Sequence, residues 1–169
     1  MWTGIRDLRC PLWRSGMRAV LFVCLGNICR SPTAQVVFEQ AIQARGLTMT
    51  VASAGTGSWH VGERPYAPMR AAASARGYLM DDLRARQFRR DDFDHFDLIL
   101  AMDDENLRAL EGMRPAACRA ELQLLMAYAP QLGVRAVPDP YYTRRFDEAI
   151  TLIETAVTGL IAALGRDCA

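Results

Sequence analysis

Ala19-Val20-Leu21-Phe22-Val23-Cys24-Leu25-Gly26-Asn27-Ile28-Cys29-Arg30-Ser31-Pro32 changes character twice in a short space. Residues 19–24 are a continuous apolar run with β-branched Val20 and Val23, the pattern of a strand buried on both faces. Gly26 and Asn27 are residue types that tolerate positive φ, so the chain can curl after Cys24. Ser31 then offers an N-cap with Pro32 at the first helical position. Ala34, Val37, Phe38, Ala41 and Ile42 recur at helical spacing until Gly46 stops the helix. The stretch predicts strand, curled loop and helix in immediate succession.

Working outward, Thr48–Ser53 predicts a second strand, and Pro68–Arg76 a small-residue helix closed by Gly77. Leu98–Met102 predicts another buried strand, with Asp103 capping a helix through Leu110. Glu121–Leu125 supplies a fourth strand, and Phe146–Leu164 reads as a long amphipathic helix. Strands alternating with helices imply parallel crossovers. The expected fold is a single α/β domain, a four-stranded parallel sheet flanked by helices on both faces. Its ligand-binding loop is expected to follow the first strand. That domain is expected over residues 17–169, with residues 1–16 a peripheral N-terminal extension. Ligands in such sheets bind beyond the carboxyl ends of the strands, which directs attention to the loop after Cys24.

Composition narrows the chemistry. The 169 residues are 51% hydrophobic and 23% charged, which excludes intrinsic disorder. Twenty basic and nineteen acidic residues leave a net charge of +1, so no global field favours nucleic acid or an anionic membrane surface. All twenty basic residues are arginine, which excludes Schiff-base catalysis and lysine-dependent nucleotide loops. Cysteines at 10, 24, 29, 118 and 168 are odd in number and irregularly spaced, as expected of a reduced, cytoplasmic protein. No apolar run is long enough for membrane insertion, and the N-terminus lacks the core of a signal peptide, leaving only non-classical export as a route out. His60 reads as surface and His95 as part of a solvated charged stretch; with no metal-ligand spacing, neither metal nor cofactor is expected.

The loop itself suits a tetrahedral oxyanion. Backbone N–H groups from Leu25, Gly26, Asn27, Ile28, Cys29 and Arg30 can converge as an anion nest, reinforced by the helix beginning near Ser31. Arg30 carries a planar fork for two phosphate oxygens. Cys24 lies at the strand end under this positive field, where the nucleophilic thiolate is favoured. Taken alone, Cys24 reads equally as a small buried hydrophobe; an arginine six positions on, across Gly, Asn and before Ser, favours the chemical reading.

Val23-Cys24-Leu25-Gly26-Asn27-Ile28-Cys29-Arg30-Ser31-Pro32-Thr33-Ala34 resembles the signature of the low-molecular-weight protein tyrosine phosphatases. The likeness continues through Ser53-Ala54-Gly55-Thr56, Ala85-Arg86-Gln87 and Leu100-Ala101-Met102-Asp103 to Pro138-Asp139-Pro140-Tyr141-Tyr142. It implies a metal-independent phosphatase acting on phosphotyrosine proteins, with Cys24 as nucleophile, Arg30 as phosphate ligand and Asp139 as general acid and base. A cognate tyrosine kinase is an implied partner. Asp139 is also legible physically: a phosphatase must protonate a departing oxygen and later deprotonate water, and two prolines restrict this aspartate. Away from the loop, Pro-Asp-Pro would read as a simple turn.

Trp59, in the segment that forms the opposite wall in similar proteins, and Tyr141 or Tyr142 are expected to flank a slot for a flat substrate. Cys29 shares the curled loop, so its sulfur is expected close enough to trap oxidised Cys24 as a disulfide, a role the resemblance supports; its other reading is packing beneath the loop. One departure stands out. Leu83 occupies a position where the family often has a histidine that steadies the loop asparagine, so Asn27 is expected to lean on Ser53. Two other chemistries share parts of this pattern. A thiol-dependent arsenate reductase needs relay cysteines, for which only Cys118 is at hand in mid-chain. A phosphocysteine carrier would have no use for a general acid.

Overall fold

The structure is a computed structural model and describes residues 17–166; the expected extension, residues 1–16, lies outside the described residues, as do Cys10 and Cys168. Four strands form one sheet: β1 (Ala19–Cys24), β2 (Thr50–Gly55), β3 (Leu98–Ala101) and β4 (Glu121–Leu124), in the order β2-β1-β3-β4. Every pairing is parallel, with Cys24 opposite Gly55 and Val23 opposite Ala101. Between and after them lie α1 (Arg30–Gln43), α2 (Ala67–Ala75), α3 (Asp92–His95), α4 (Asp104–Met113), α5 (Pro140–Thr143) and α6 (Phe146–Arg166). Among the described residues no helix is long and apolar enough to cross a membrane.

The strand period of two divides β1 between two cores. Val20, Phe22 and Cys24 pack with Val37, Phe38 and Ile42 of α1 and Ile150, Ile153 and Val157 of α6. Leu21 and Val23 join Ile99, Ala101, Leu110 and Phe93 in the second core. Full burial of Leu21 or Phe22 stabilises by about 1.5–3 kcal/mol relative to exposure. A rigid central strand therefore delivers Cys24 to its site. With β2 on one side and β3 on the other, the crevice beyond the carboxyl end of β1 is where a ligand fits.

Three local expectations need correction. α1 begins at Arg30, with Cys29 at the cap position and no side-chain cap, rather than at a Ser31 cap followed by Pro32. The reason is that Ser31 faces into the loop, where its hydroxyl is already engaged. Second, Asn27 takes the positive φ (56°), whereas Gly26 does not. Gly26 is small for another reason: a Cβ there would sit 3.0 Å from the His60 ring. Third, the charged stretch before β3 is not wholly solvated. Asp92 is buried and accepts the Arg86 fork at 3.0 Å on both oxygens, plus the Arg89 N–H at 2.8 Å. His95 in the same stretch is exposed.

Candidate active site

Cys24, Leu25, Gly26, Ile28, Cys29, Trp59, His60, Asp139, Tyr141 and Tyr142 line one cleft of about 260 Å³. Its floor is the loop between β1 and α1. The Cys24 sulfur accepts the Asn27 N–H at 3.3 Å and lies 3.0 Å from the Ser31 hydroxyl. That hydroxyl has a single proton, so it is shared between the sulfur and the Ala54 carbonyl at 3.3 Å.

Asn27 holds the loop's shape through its side chain. Its amide donates to Ser31 Oγ at 2.8 Å and Ser53 Oγ at 2.9 Å, while its carbonyl accepts the Arg86 N–H at 2.9 Å. Ser53 passes its own proton to Gln35 at 2.7 Å. Both amide protons are used, so Asn27 needs nothing from position 83, and Leu83 packs against the core instead. The bond to Ser53 is the contact expected in place of the family's histidine. Gly55 completes the support: a Cβ at that position would meet the Leu25 carbonyl at 2.7 Å and the Asn27 nitrogen at 3.1 Å.

Arg30 is almost fully buried and lies beneath the cleft. One terminal nitrogen donates to Asp103 at 2.6 Å and to the Val137 carbonyl at 3.0 Å; the other reaches Asp139 at 3.2 Å. Its Nε is buried without a hydrogen-bond partner, a donor that an incoming oxyanion would satisfy. Burial works against the guanidinium charge, but Cys24, Asp139 and Asp103 outweigh it and hold the Arg30 pKa above its ordinary value. Asp103 does two jobs, because its other oxygen caps α4 by accepting the Asn106 N–H at 2.8 Å. The cap was legible in the sequence; the Arg30 anchor was not, because nothing local to Asp103 signals a partner 73 positions away.

Asp139 arrives from the far side. The Val137 N–H bonds the Met102 carbonyl at 2.9 Å, tying this segment to the end of β3. Asp139 caps the short helix α5 by accepting the Tyr141 N–H at 3.1 Å, which aims its other oxygen at Arg30. Cys29 is buried beside Cys24; burial first, then the charges of Cys24 and Asp139, push its thiol pKa far up, so it is a neutral thiol.

The rim is aromatic. Trp59 and Tyr142 are largely exposed, and Tyr141 packs edge-on to Tyr142 with ring centroids 5.2 Å apart. The Trp59 ring lies where a side chain on Gly57 would stand. Both tyrosines face the cleft, where one was required. His60 is a correction: it lines the cleft and pairs with Glu63 at 2.8 Å. Tyr66, which sequence reading passed over, backs Tyr141 at 5.2 Å. Cys118 lies elsewhere, in the second core, half-buried and far from any relay. Among the described residues no cluster of His, Cys, Asp and Glu has the arrangement of a metal site.

Residues 19–169 match the family described as low molecular weight phosphotyrosine protein phosphatase. A Streptomyces coelicolor low molecular weight protein-tyrosine-phosphatase is 43% identical over 152 residues, covering 86% of this chain and 92% of that protein. The crystal structure of YfkJ from Bacillus subtilis superposes with a TM-score of 0.84 at 39% identity, covering 89% of this chain and 96% of that one. A Drosophila structure titled as an arginine phosphatase follows at TM-score 0.80 and 32% identity, covering 85% and 96%. The loop, the buried arginine and the opposed aspartate thus sit in a chain that belongs to the low molecular weight phosphotyrosine protein phosphatase family, a hydrolase of the protein-tyrosine phosphatase class.

Proposed function

We propose that the chain hydrolyses phosphotyrosine on proteins through a phosphocysteine intermediate. The Cys24 thiolate attacks phosphorus in line, the P–O bond to the tyrosine breaks, and protonated Asp139 gives its proton to the departing phenolate. Asp139 then takes a proton from water, which attacks phosphorus, breaks the S–P bond and releases inorganic phosphate and the thiolate. Loop N–H groups from Leu25 to Arg30 and the free Arg30 donors hold the equatorial oxygens, so positioning and electrostatics supply most of the rate. The observation that carries this reading is convergence: Cys24 and Asp139 line one cleft, and Arg30 beneath it bonds Asp139.

The aromatic rim supports an aryl ester as substrate. A phosphotyrosine ring can stack between Trp59 and the tyrosine pair while its phosphate reaches the floor; a phosphoserine would leave those faces uncovered. Asp139 at the cleft fits hydrolysis and has no use in a phosphoryl store, and Cys118, the mid-chain thiol that an arsenate-reductase relay would call on, packs in the second core and does not line the cleft. Five irregularly spaced cysteines, an odd number, also support a cytoplasmic enzyme.

The test is turnover of p-nitrophenyl phosphate and of phosphotyrosyl, phosphoseryl and phosphoarginyl peptides, without metal or added thiol. Phosphotyrosyl peptides should exceed the other two by at least about tenfold in kcat/KM, an energy difference of about 1.4 kcal/mol that ring stacking readily provides. Cys24→Ser should abolish turnover of every substrate. Preference for phosphoarginine would move the substrate to the chemistry named for the Drosophila structure. A dependence on added thiol would contradict direct hydrolysis.

A further inference from the structure

Asn27 (φ 56°) and Arg144 (φ 62°) are the only non-glycine residues with positive φ among the described residues. Such a backbone persists in an L residue only where its surroundings hold it, and it gathers at functional sites. Asn27 shapes the phosphate loop. Arg144 has no part in the chemistry above, yet it is bonded to Tyr66, which packs on the cleft residue Tyr141.

Arg144 closes α5, the helix capped by Asp139, in a left-handed turn, and its side chain reaches the aromatic cluster behind Tyr141. There the guanidinium donates to the Tyr66 hydroxyl at 2.5 Å and lies 5.7 Å from that ring's centroid. Tyr66 in turn touches Tyr141, and its N–H donates to the Ile28 carbonyl at 2.8 Å. One phenol thus fastens Arg144 to the aromatic wall and to the phosphate loop. The neighbouring Arg145 is paired with Glu148 at 3.3 Å. Arg144 is exposed and has no carboxylate partner among the described residues. The phenol bond also holds its pKa above the ordinary value, so it is always a cation.

We infer that Arg144 is a specificity-determining residue that receives the carboxylate of an Asp or Glu next to the phosphotyrosine, selecting acidic phosphotyrosyl peptides. The inference rests on the phosphotyrosine reading and deepens it. A ring seated against Tyr141 brings the flanking residues of its peptide to the mouth of the cleft, where a fixed guanidinium with unused donors can take a carboxylate in a forked bond. The tether to Tyr66 lowers the entropy lost on binding. Across the cleft, exposed Glu63 beside His60 repels the same carboxylate, so the acidic residue is directed to the Arg144 side.

The experiment compares two phosphotyrosyl peptides that differ by a single Glu→Gln next to the phosphotyrosine. With the wild-type chain the acidic peptide should be preferred about fivefold in kcat/KM at low salt, the scale of a solvent-exposed ion pair, and less as salt rises. Arg144→Gln removes the cation; Arg144→Gly removes it while suiting the left-handed backbone, so it guards against a folding defect. Each should bring the ratio to about one, with p-nitrophenyl phosphate reporting whether the catalytic centre has survived. Equal use of both peptides by the wild type overturns the inference alone, as does a preference that persists in both variants. Turnover of p-nitrophenyl phosphate with neither peptide used overturns the phosphotyrosine reading and this inference together.

Discussion

A buried thiol beside a reactive one is a liability or a safeguard, depending on its ionisation. Cys29 is held as the neutral thiol by burial and by the charges of Cys24 and Asp139. Of these two thiols, the nucleophilic Cys24 is therefore the one that peroxide oxidises first. Peroxide converts the Cys24 thiolate to a sulfenic acid with loss of hydroxide; the Cys29 sulfur then attacks that sulfur, water leaves, and a disulfide forms. Oxidation also removes the Cys24 charge, one of the causes holding Cys29 neutral. The remaining burial still holds the Cys29 pKa above the ordinary thiol value of 9.0, so its thiolate stays scarce and the rate of trapping should rise with pH all the way up to that value. The measurement is activity recovered by thiol reductant after a peroxide pulse at several pH values. Recovery should rise with pH in the wild type and be lost in Cys29→Ser. If Cys29→Ser recovers as fully as wild type, Cys29 is packing alone.

Elements were the more legible level, and their boundaries show what sequence can carry. Continuous apolar runs identified β1 and β3, because strands buried on both faces have no polar phase to hide. β2 was placed two residues early, over 48–53 instead of Thr50–Gly55. Its half-exposed pattern carries no sharp edge, and its end is set by parallel pairing with Cys24. The N-terminus of α1 was misread for a related reason: Ser31 is a good cap residue, but its hydroxyl serves Cys24 and Asn27 across the loop. Tertiary packing also reverses helix propensity at Gly159 in α6. Alanine there would gain about 1 kcal/mol from propensity. Its Cβ, however, would lie 1.8 Å from the Tyr128 carbonyl oxygen, so the helix must shift off the 125–128 turn. Overpacking of this kind costs about 1–3 kcal/mol and should win. Gly159→Ala should therefore lower Tm by several degrees in calorimetry; an unchanged or raised Tm would show that the turn moves aside freely.

At the scale of the whole molecule, the candidate site is a meeting of three distant segments beyond the carboxyl ends of the central strands. Cys24 and Arg30 are legible together because a strand–loop–helix encodes them within one stretch. Asp139 was found through its motif, but its pairing with Arg30 depends on the 137–139 segment being tied to the end of β3. Asp103, His60, Tyr66 and Arg144 were missed as site residues because each is defined by contacts made after folding, and sequence spacing does not record these. The sheet order β2-β1-β3-β4 brings Asp103 to Arg30 by placing the ends of β1 and β3 side by side.

The proposed reaction passes phosphate through a covalent bond to Cys24. Asp139→Asn keeps the size of the side chain but cannot deprotonate water, so an activated ester should still form the intermediate while its hydrolysis slows. Mixing this variant with p-nitrophenyl phosphate, quenching in acid and mapping peptides by mass spectrometry tests the claim directly. One phosphoryl group is expected on Cys24, absent when the reaction is run with vanadate or with Cys24→Ser. Turnover with Cys24 unmodified, or a phosphoryl group on any other side chain, would contradict it.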